Sequence, residues 1–175
     1  GAVTYCPNPA LPVVNGVTMS LTGAPPAPTS VLTAGAGAYT LPGLTSGASY
    51  TVTPTKAAKP PGTSGLNTSD AIAIQRHFLG LGVPLSGCRL QAADTNDPAN
   101  GISTTDSIAT QRYFLGQTVG IVQTGRYKFT PASRTYTPLA GNQTAQDYNV
   151  VVLGDAATGF VEPIITPTPT PSPTP

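Results

Sequence analysis

Polar and apolar residues alternate over short stretches near both ends of the chain and recur at helical spacing between them. Val17-Thr18-Met19-Ser20-Leu21 alternates strictly and stops at the breaker Gly23-Ala24-Pro25-Pro26, the pattern of a half-buried strand. Val31-Leu32, Ala38-Tyr39-Thr40-Leu41 and Ser49-Tyr50-Thr51-Val52-Thr53 predict three further strands before residue 56. Past residue 125 the pattern returns in Tyr127-Lys128-Phe129, in Arg134-Thr135-Tyr136 and most strongly in Gln146-Asp147-Tyr148-Asn149-Val150-Val151-Val152-Leu153. Turn signals recur about every eight to twelve residues, the spacing of a β-sandwich or barrel.

Residues 57–124 have a different period and contain an internal repeat. The stretch from Leu66 to Gly80 aligns with Ile102 to Gly116 at an offset of 36 residues, with nine of fifteen positions identical. Chance does not produce that in a chain of this length, so a unit has been duplicated. Each copy opens with Thr or Ser ahead of an Asp, as helix starts do, and closes on Gly, as helix ends do. Each carries apolar residues assigned to one helix face: Ile72, Phe78 and Leu79 in the first, Ile108, Phe114 and Leu115 in the second. Two helices of about three turns are predicted, each preceded by a loop. The chain thus divides into β-material at 1–56 and 125–162, an insert at 57–124, and a Thr/Pro-rich stretch at 163–175 of polyproline II composition that cannot form a core.

Composition narrows the function. Only 9% of the 175 residues are charged, the net charge is +1, and there is one His against seven acids. Such a surface offers no basic field for nucleic acid or anionic lipid. No base, nucleophile and orienting group can be assembled, so catalysis is not expected. No apolar run approaches the roughly 18 residues of a membrane span. Cys6 and Cys88 read as a disulfide if the chain is extracellular and as two free thiols if it is cytosolic. The charge-poor Thr/Ser/Gly/Pro composition favours the secreted case.

The acids are not scattered. Four of the seven lie between Asp70 and Asp106. Calcium takes six to eight oxygens from carboxylates, amides and backbone carbonyls. The loop before the second helix, Asp94 to Asp106, supplies these at alternating positions: Asp94, Asn96, Asn100 (or Asp97 in its place) and Asp106. Gly101 provides the turn and Ile102 a short contact between loops. The first loop, Lys59 to Asp70, holds one carboxylate. Asp70 and Ser64, with Thr63 and backbone carbonyls, are its candidate ligands, or a carboxylate arrives from elsewhere. The alternative is a loop held only by Asp70 capping its helix.

The duplicated form Gly-apolar-x-x-x-Asp-x-Ile-Ala-x-Gln-Arg-x-Phe-Leu-Gly over residues 60–117 resembles dockerin-type repeats, paired calcium-binding loop–helix units that lack the entering helix of an EF-hand. Gly16-Val17-Thr18-Met19-Ser20-Leu21-Thr22-Gly23, Tyr39-Thr40-Leu41-Pro42-Gly43-Leu44, Tyr50-Thr51-Val52-Thr53-Pro54 and Tyr127-Lys128-Phe129-Thr130-Pro131-Ala132-Ser133-Arg134-Thr135-Tyr136 resemble the B-type repeats of the Cna collagen adhesin and carboxypeptidase regulatory-like domains. Together these resemblances imply a mainly β chain: a prealbumin-like β-sandwich carrying a dockerin-like insert, with an extended Pro/Thr-rich tail. They also imply Ca2+ as cofactor and a cohesin-like partner. Gln75, Arg76 and His77 of the first helix, with Gln111, Arg112 and Tyr113 of the second, would form the symmetric contacts.

These features lead to the expectation of a non-enzymatic, extracellular, calcium-stabilised surface module. It self-associates into a homo-oligomer or fibre, using the Thr/Pro stretch, with Pro167, Pro169 and Pro171 as contact residues. Two alternatives stand beside it: docking to a cohesin-like protein through Arg76 and Arg112, and service as an accessory domain of a larger carbohydrate-active enzyme with the Thr/Pro stretch as linker. Thr166, Thr168, Thr170 and Thr174 are candidate O-glycan acceptors.

Overall fold

In the computed structural model the described residues are 1–8, 10–63, 65–96 and 101–157. Seven strands form two sheets, and three helices accompany them, a mainly β architecture. The strands are β1 (Val3–Tyr5), β2 (Thr18–Gly23), β3 (Thr29–Leu32), β4 (Tyr50–Thr55), β5 (Tyr127–Thr130), β6 (Arg134–Tyr136) and β7 (Tyr148–Val152). The helices α1 (Thr68–Phe78), α2 (Gly87–Ala93) and α3 (Thr104–Phe114) all lie between β4 and β5.

One sheet is antiparallel in the order β3-β2-β4-β6; the other runs β1-β7-β5, with β1 parallel and β5 antiparallel to β7. The inner faces share one core. Met19 and Leu21 of β2, Tyr50 and Val52 of β4, Val3 and Tyr5 of β1, and Tyr148, Val150 and Val152 of β7 all belong to it. This is the period-2 alternation of the sequence made physical. Its exception is the run Val150-Val151-Val152-Leu153, which does not alternate because β7 is covered on both faces. Val151 and Leu153 pack on the opposite side against Ala92 of α2 and the two cysteines.

Those cysteines form a disulfide, Cys6–Cys88, across 82 residues of sequence. It ties the end of β1 to α2, and closing a loop of that size is worth about 4–5 kcal/mol on the chain-entropy account. The helical segment is also bound in by burial: Leu66 and Tyr113 enter the same core as the sheets. At Gly154, where φ is +101°, a Cβ would lie 2.6 Å from Leu66 and 2.7 Å from Thr124. Only glycine lets β7 pass this close to the insert.

The structure departs from sequence expectation in four places. β1 gives no alternation signal because it is three residues long, yet it is buried and paired. Ala38-Tyr39-Thr40-Leu41 is not a strand: Ala38 makes a single bridge to Ala2, after a one-turn 3-10 helix at Gly35–Gly37. Pro42 then removes a donor. α2 lies in a stretch without helical periodicity. Finally, the apolar residues assigned to a core face in α1 and α3 point outward. Ile72 and Ile108 are 47% and 49% exposed, and Phe78, Leu79, Phe114 and Leu115 are exposed with them. The inner stripe is Asp70, Ala71 and Ile74 in α1, and Asp106, Ala109, Thr110 and Tyr113 in α3. These positions keep the helical spacing but mix acidic, small and aromatic side chains, so hydrophobicity alone picks the wrong face.

Candidate functional site

Both repeat helices start on an aspartate that is fully buried. Asp70 and Asp106 sit at the third helical position, behind the cap residues Asn67 and Ser103. One oxygen of each closes a capping box: Asp70 Oδ2 accepts from Asn67 N–H at 2.8 Å, and Asp106 Oδ2 accepts from Ser103 N–H at 2.8 Å. Such reciprocal caps satisfy donors that the first helical turn leaves unpaired.

The other oxygen of each aspartate reaches outside its helix, in the same way. Asp106 Oδ1 accepts from two successive amides, Thr95 N–H at 2.6 Å and Asn96 N–H at 2.9 Å. Asp70 Oδ1 also accepts from two successive amides, Ala156 N–H at 3.0 Å and Ala157 N–H at 2.9 Å. The first pair of amides follows Asp94 and the second follows Asp155. The two aspartate-bearing segments run side by side, with Gly154 N–H donating to Ala92 O at 2.6 Å. Ser107 Oγ, on α3, donates to Ala71 O, its own counterpart on α1, at 2.9 Å. Contact between equivalent positions marks a pseudo-two-fold axis between the helices. Ile74, Ala93 and Ala156 form a small buried cluster that joins α1 to both segments.

Asp155 therefore occupies, toward α1, the position that Asp94 occupies toward α3. In the second unit that residue lies in the same loop as its helix; in the first it arrives from beyond β7. Asp155 is 1% exposed, and Tyr5 Oη donates to its Oδ2 at 2.5 Å. Burial pushes Asp70 above the ordinary aspartate range; amide donors from Ala157, Asn67 and Ala156, and a hydrogen bond with the Asp155 carboxyl, pull the other way. Burial and then the nearby Asp155 charge push the Tyr5 hydroxyl far upward, so it stays a donor.

The structure brings the 94–96 backbone and Asn96 to Asp106 at the second helix start, with Asp94 directly before the amides that bind Asp106. Asn96 Nδ2 donates to Ser103 Oγ at 3.4 Å. Asp106 accepts from five donors: the amides of Thr95, Asn96 and Ser103 and the hydroxyls of Thr95 and Ser103. A carboxylate has about four lone-pair sites, so Asp106 anchors the loop here, and a cation on it would displace a hydroxyl. Asp70 accepts from three amides and shares a hydrogen bond with the Asp155 carboxyl, so a cation there would take the place of that shared proton. Ser64, Asp97 and Asn100 lie outside the described residues. Among the described residues, no three His, Cys, Asp or Glu side chains converge on a metal-sized site. The donor sets, carboxylates with an amide, have the oxygen chemistry of a hard cation.

Asp155 has almost no signature in the sequence. Its only signal there is an acid directly after an apolar run and a glycine, in a chain with few acids.

On the outer surface, Arg76 and Arg112 are both exposed, each reaching back over the turn that follows its helix, near Gly82 and Gly120. The expected symmetry of His77 and Tyr113 as surface contacts does not hold. Tyr113 is buried, its hydroxyl donating to Pro60 O at 2.9 Å, while His77 Nδ1 accepts from Leu85 N–H at 3.0 Å. Pro167, Pro169 and Pro171, with Thr166, Thr168, Thr170 and Thr174, lie outside the described residues. No described helix is long and apolar enough to cross a membrane. Compared with protein-family models, curated proteins and solved structures, the chain matches none.

Proposed function

We propose that the chain is a non-enzymatic, calcium-stabilised structural module of the extracellular space or cell surface, built to associate with further copies of itself. The observation that carries this reading is the apolar surface left open in duplicate. α1 and α3 present the same Ile, Phe and Leu outward, related by the pseudo-two-fold. Paired exposed apolar groups on a soluble chain mark a protein–protein surface. The disulfide suits an oxidising compartment. A dockerin-like pair inserted into a prealbumin-like sandwich accounts for the interrupted strand order and for the paired helix starts.

Calcium is favoured by the buried carboxyl pair Asp70–Asp155 and by the acid and amide groups at the start of α3. Two carboxyls in contact away from water repel unless a proton or a cation lies between them. In the second unit Asp94, Asn96 and Asp106 would hold the ion; in the first, Asp70 and Asp155 would. The exposed triads also favour a second reading, a cohesin-like partner seated on the helix face between Arg76 and Arg112.

Electron microscopy and sizing of the purified chain, with calcium and with chelator, test the first reading. Calcium-dependent filaments or oligomers are expected. A strict monomer at high concentration with calcium present would exclude self-association and leave the partner reading.

A further inference from the structure

A groove of about 610 Å3 opens at the end of β7 where Tyr148 lies. That volume is within the roughly 300–1,000 Å3 of established ligand sites. Leu41, Leu44 and Leu139 line it together with the rings of Tyr39 and Tyr136. Both rings are pinned by one residue: Tyr39 Oη donates to Gln146 O at 2.6 Å, and Tyr136 Oη to Gln146 Oε1 at 3.0 Å. Two backbone segments, 40–44 and 141–146, form its banks. Among the described residues, the main-chain N–H groups of Thr40, Leu41, Gly43 and Leu44 donate no hydrogen bond, nor do the main-chain N–H groups from Gly141 to Gln146. A site that mixes leucines and fixed tyrosine rings with uncharged Thr, Asn and Gln side chains and unused main-chain donors suits an uncharged extended peptide.

The chain contains such a peptide. Ile164-Ile165-Thr166-Pro167-Thr168-Pro169-Thr170-Pro171 is uncharged and joins an apolar pair to an alternating Thr–Pro run. Alternation has a further effect in an extended chain. Paired as a β-strand, the run Thr166 to Pro171 puts its Thr N–H groups on one edge and its prolines on the other, so this run can pair on one side only. No side chain lining the groove is charged either.

The groove and the point where the described chain ends lie at opposite ends of β7. The groove lies at the Tyr148 end of β7, while the described chain leaves at Ala157, past the other end of that strand and against Asp70 of α1. We infer that the groove takes residues 164–171 of a second copy, so that molecules join head to tail. A contact between one pole and a segment leaving the opposite pole is heterologous and propagates as a filament instead of closing as a dimer. The inference rests on the self-association proposed above and adds to it a head-to-tail contact distinct from the outer face of α1 and α3.

The test uses the full chain and a labelled synthetic peptide of residues 160–175. Saturable binding is expected, weakened by more than about tenfold when the chain carries Leu44→Asp or when the peptide carries Ile164→Asp and Ile165→Asp. The peptide arm cannot be confused with misfolding of the chain. Two full-length variants are then mixed, one with Leu44→Asp and one with Ile164→Asp and Ile165→Asp. Neither alone should form filaments, and the mixture should stop at a heterodimer, since one intact groove meets one intact segment. Failure of the peptide to saturate would overturn the inference, as would filaments that persist in both variants, although the latter would leave self-association standing. A mixture that stays monomeric while the peptide binds would show that the segment docks on its own molecule, which also overturns it.

Discussion

The units around α1 and α3 share nine of fifteen residues, the same type of cap and the same outward Ile, Phe and Leu. They differ in where the chain closes them. Asp106 takes its loop amides from residues 10 and 11 positions earlier; Asp70 takes the corresponding amides from 86 and 87 positions later. The second unit is a local loop, the first a junction between the insert and the segment after β7. Duplicated helices therefore do not guarantee duplicated loops: the three-dimensional arrangement is conserved between the units while its supply is rerouted through the fold. The first loop looks impoverished in sequence because its second acid is entered 61 residues downstream of Asp94.

Removing either buried carboxylate strains this comparison most. Asp70→Ala and Asp106→Ala each strand three amides, and each is expected to cost about 3 kcal/mol in denaturant unfolding, given a cap and unpaired buried donors. The distribution of damage should differ. In Asp70→Ala, hydrogen exchange should quicken at Ala156 and Ala157 as well as at the start of α1; in Asp106→Ala it should quicken only around Thr95, Asn96 and Ser103. Equal, purely local effects would mean that Asp155 and its neighbours do not complete the first unit.

A smaller effect distinguishes the units by metal. At about a hundredfold excess over its dissociation constant, a single bound ion adds about 2.7 kcal/mol. Calorimetry with calcium and with chelator should show that gain, and Asp94→Ala and Asp155→Ala should each remove part of it. Loss with Asp94→Ala alone would make the second unit the sole site and the first a proton-sharing carboxyl pair. A melting temperature indifferent to chelator would leave both loops as caps.

The smallest effect falls on the shared outer face. Ile72→Ser and Ile108→Ser remove exposed groups and should change stability by less than about 0.5 kcal/mol. The buried Ile74→Ala, two residues away, should cost about 2–5 kcal/mol. If the Ile72 and Ile108 changes weaken association while the melting temperature holds, the outer face is a contact surface; if both variants lose stability, the helices bury these residues after all.

Much of this architecture is legible in the chain. Strict alternation identifies β2, and local β-pattern identifies β4, β5, β6 and β7, because their inner faces carry apolar or aromatic residues, with Arg134 beside Tyr136 on that of β6. The repeat placed α1 and α3, and Cys6 with Cys88 offered a bridge. What was hidden depends on partners distant in sequence. β1 takes its ladder from β7, 145 residues further along the chain, beside single bridges from Thr4 to Val13 and from the preceding Ala2 to Ala38. The inner stripe of α3 includes Asp106 and Thr110, polar residues satisfied by bonds that no periodicity encodes. Asp155 is an ordinary acid after a strand until the fold sets it against Asp70.

Order of synthesis adds a consequence. A ribosome delivers Asp94 and Asp106 within twelve residues of each other, so α3 can close on its loop soon after it emerges. α1 emerges earlier and must wait until residue 157 has been made, and β1 must wait equally long for β7. Such long-range closure is slow compared with local contacts. A nascent chain thus carries an unfinished helix start and a β1 without its ladder partner until residues 148–157 have been made, and that one segment completes both in a single step.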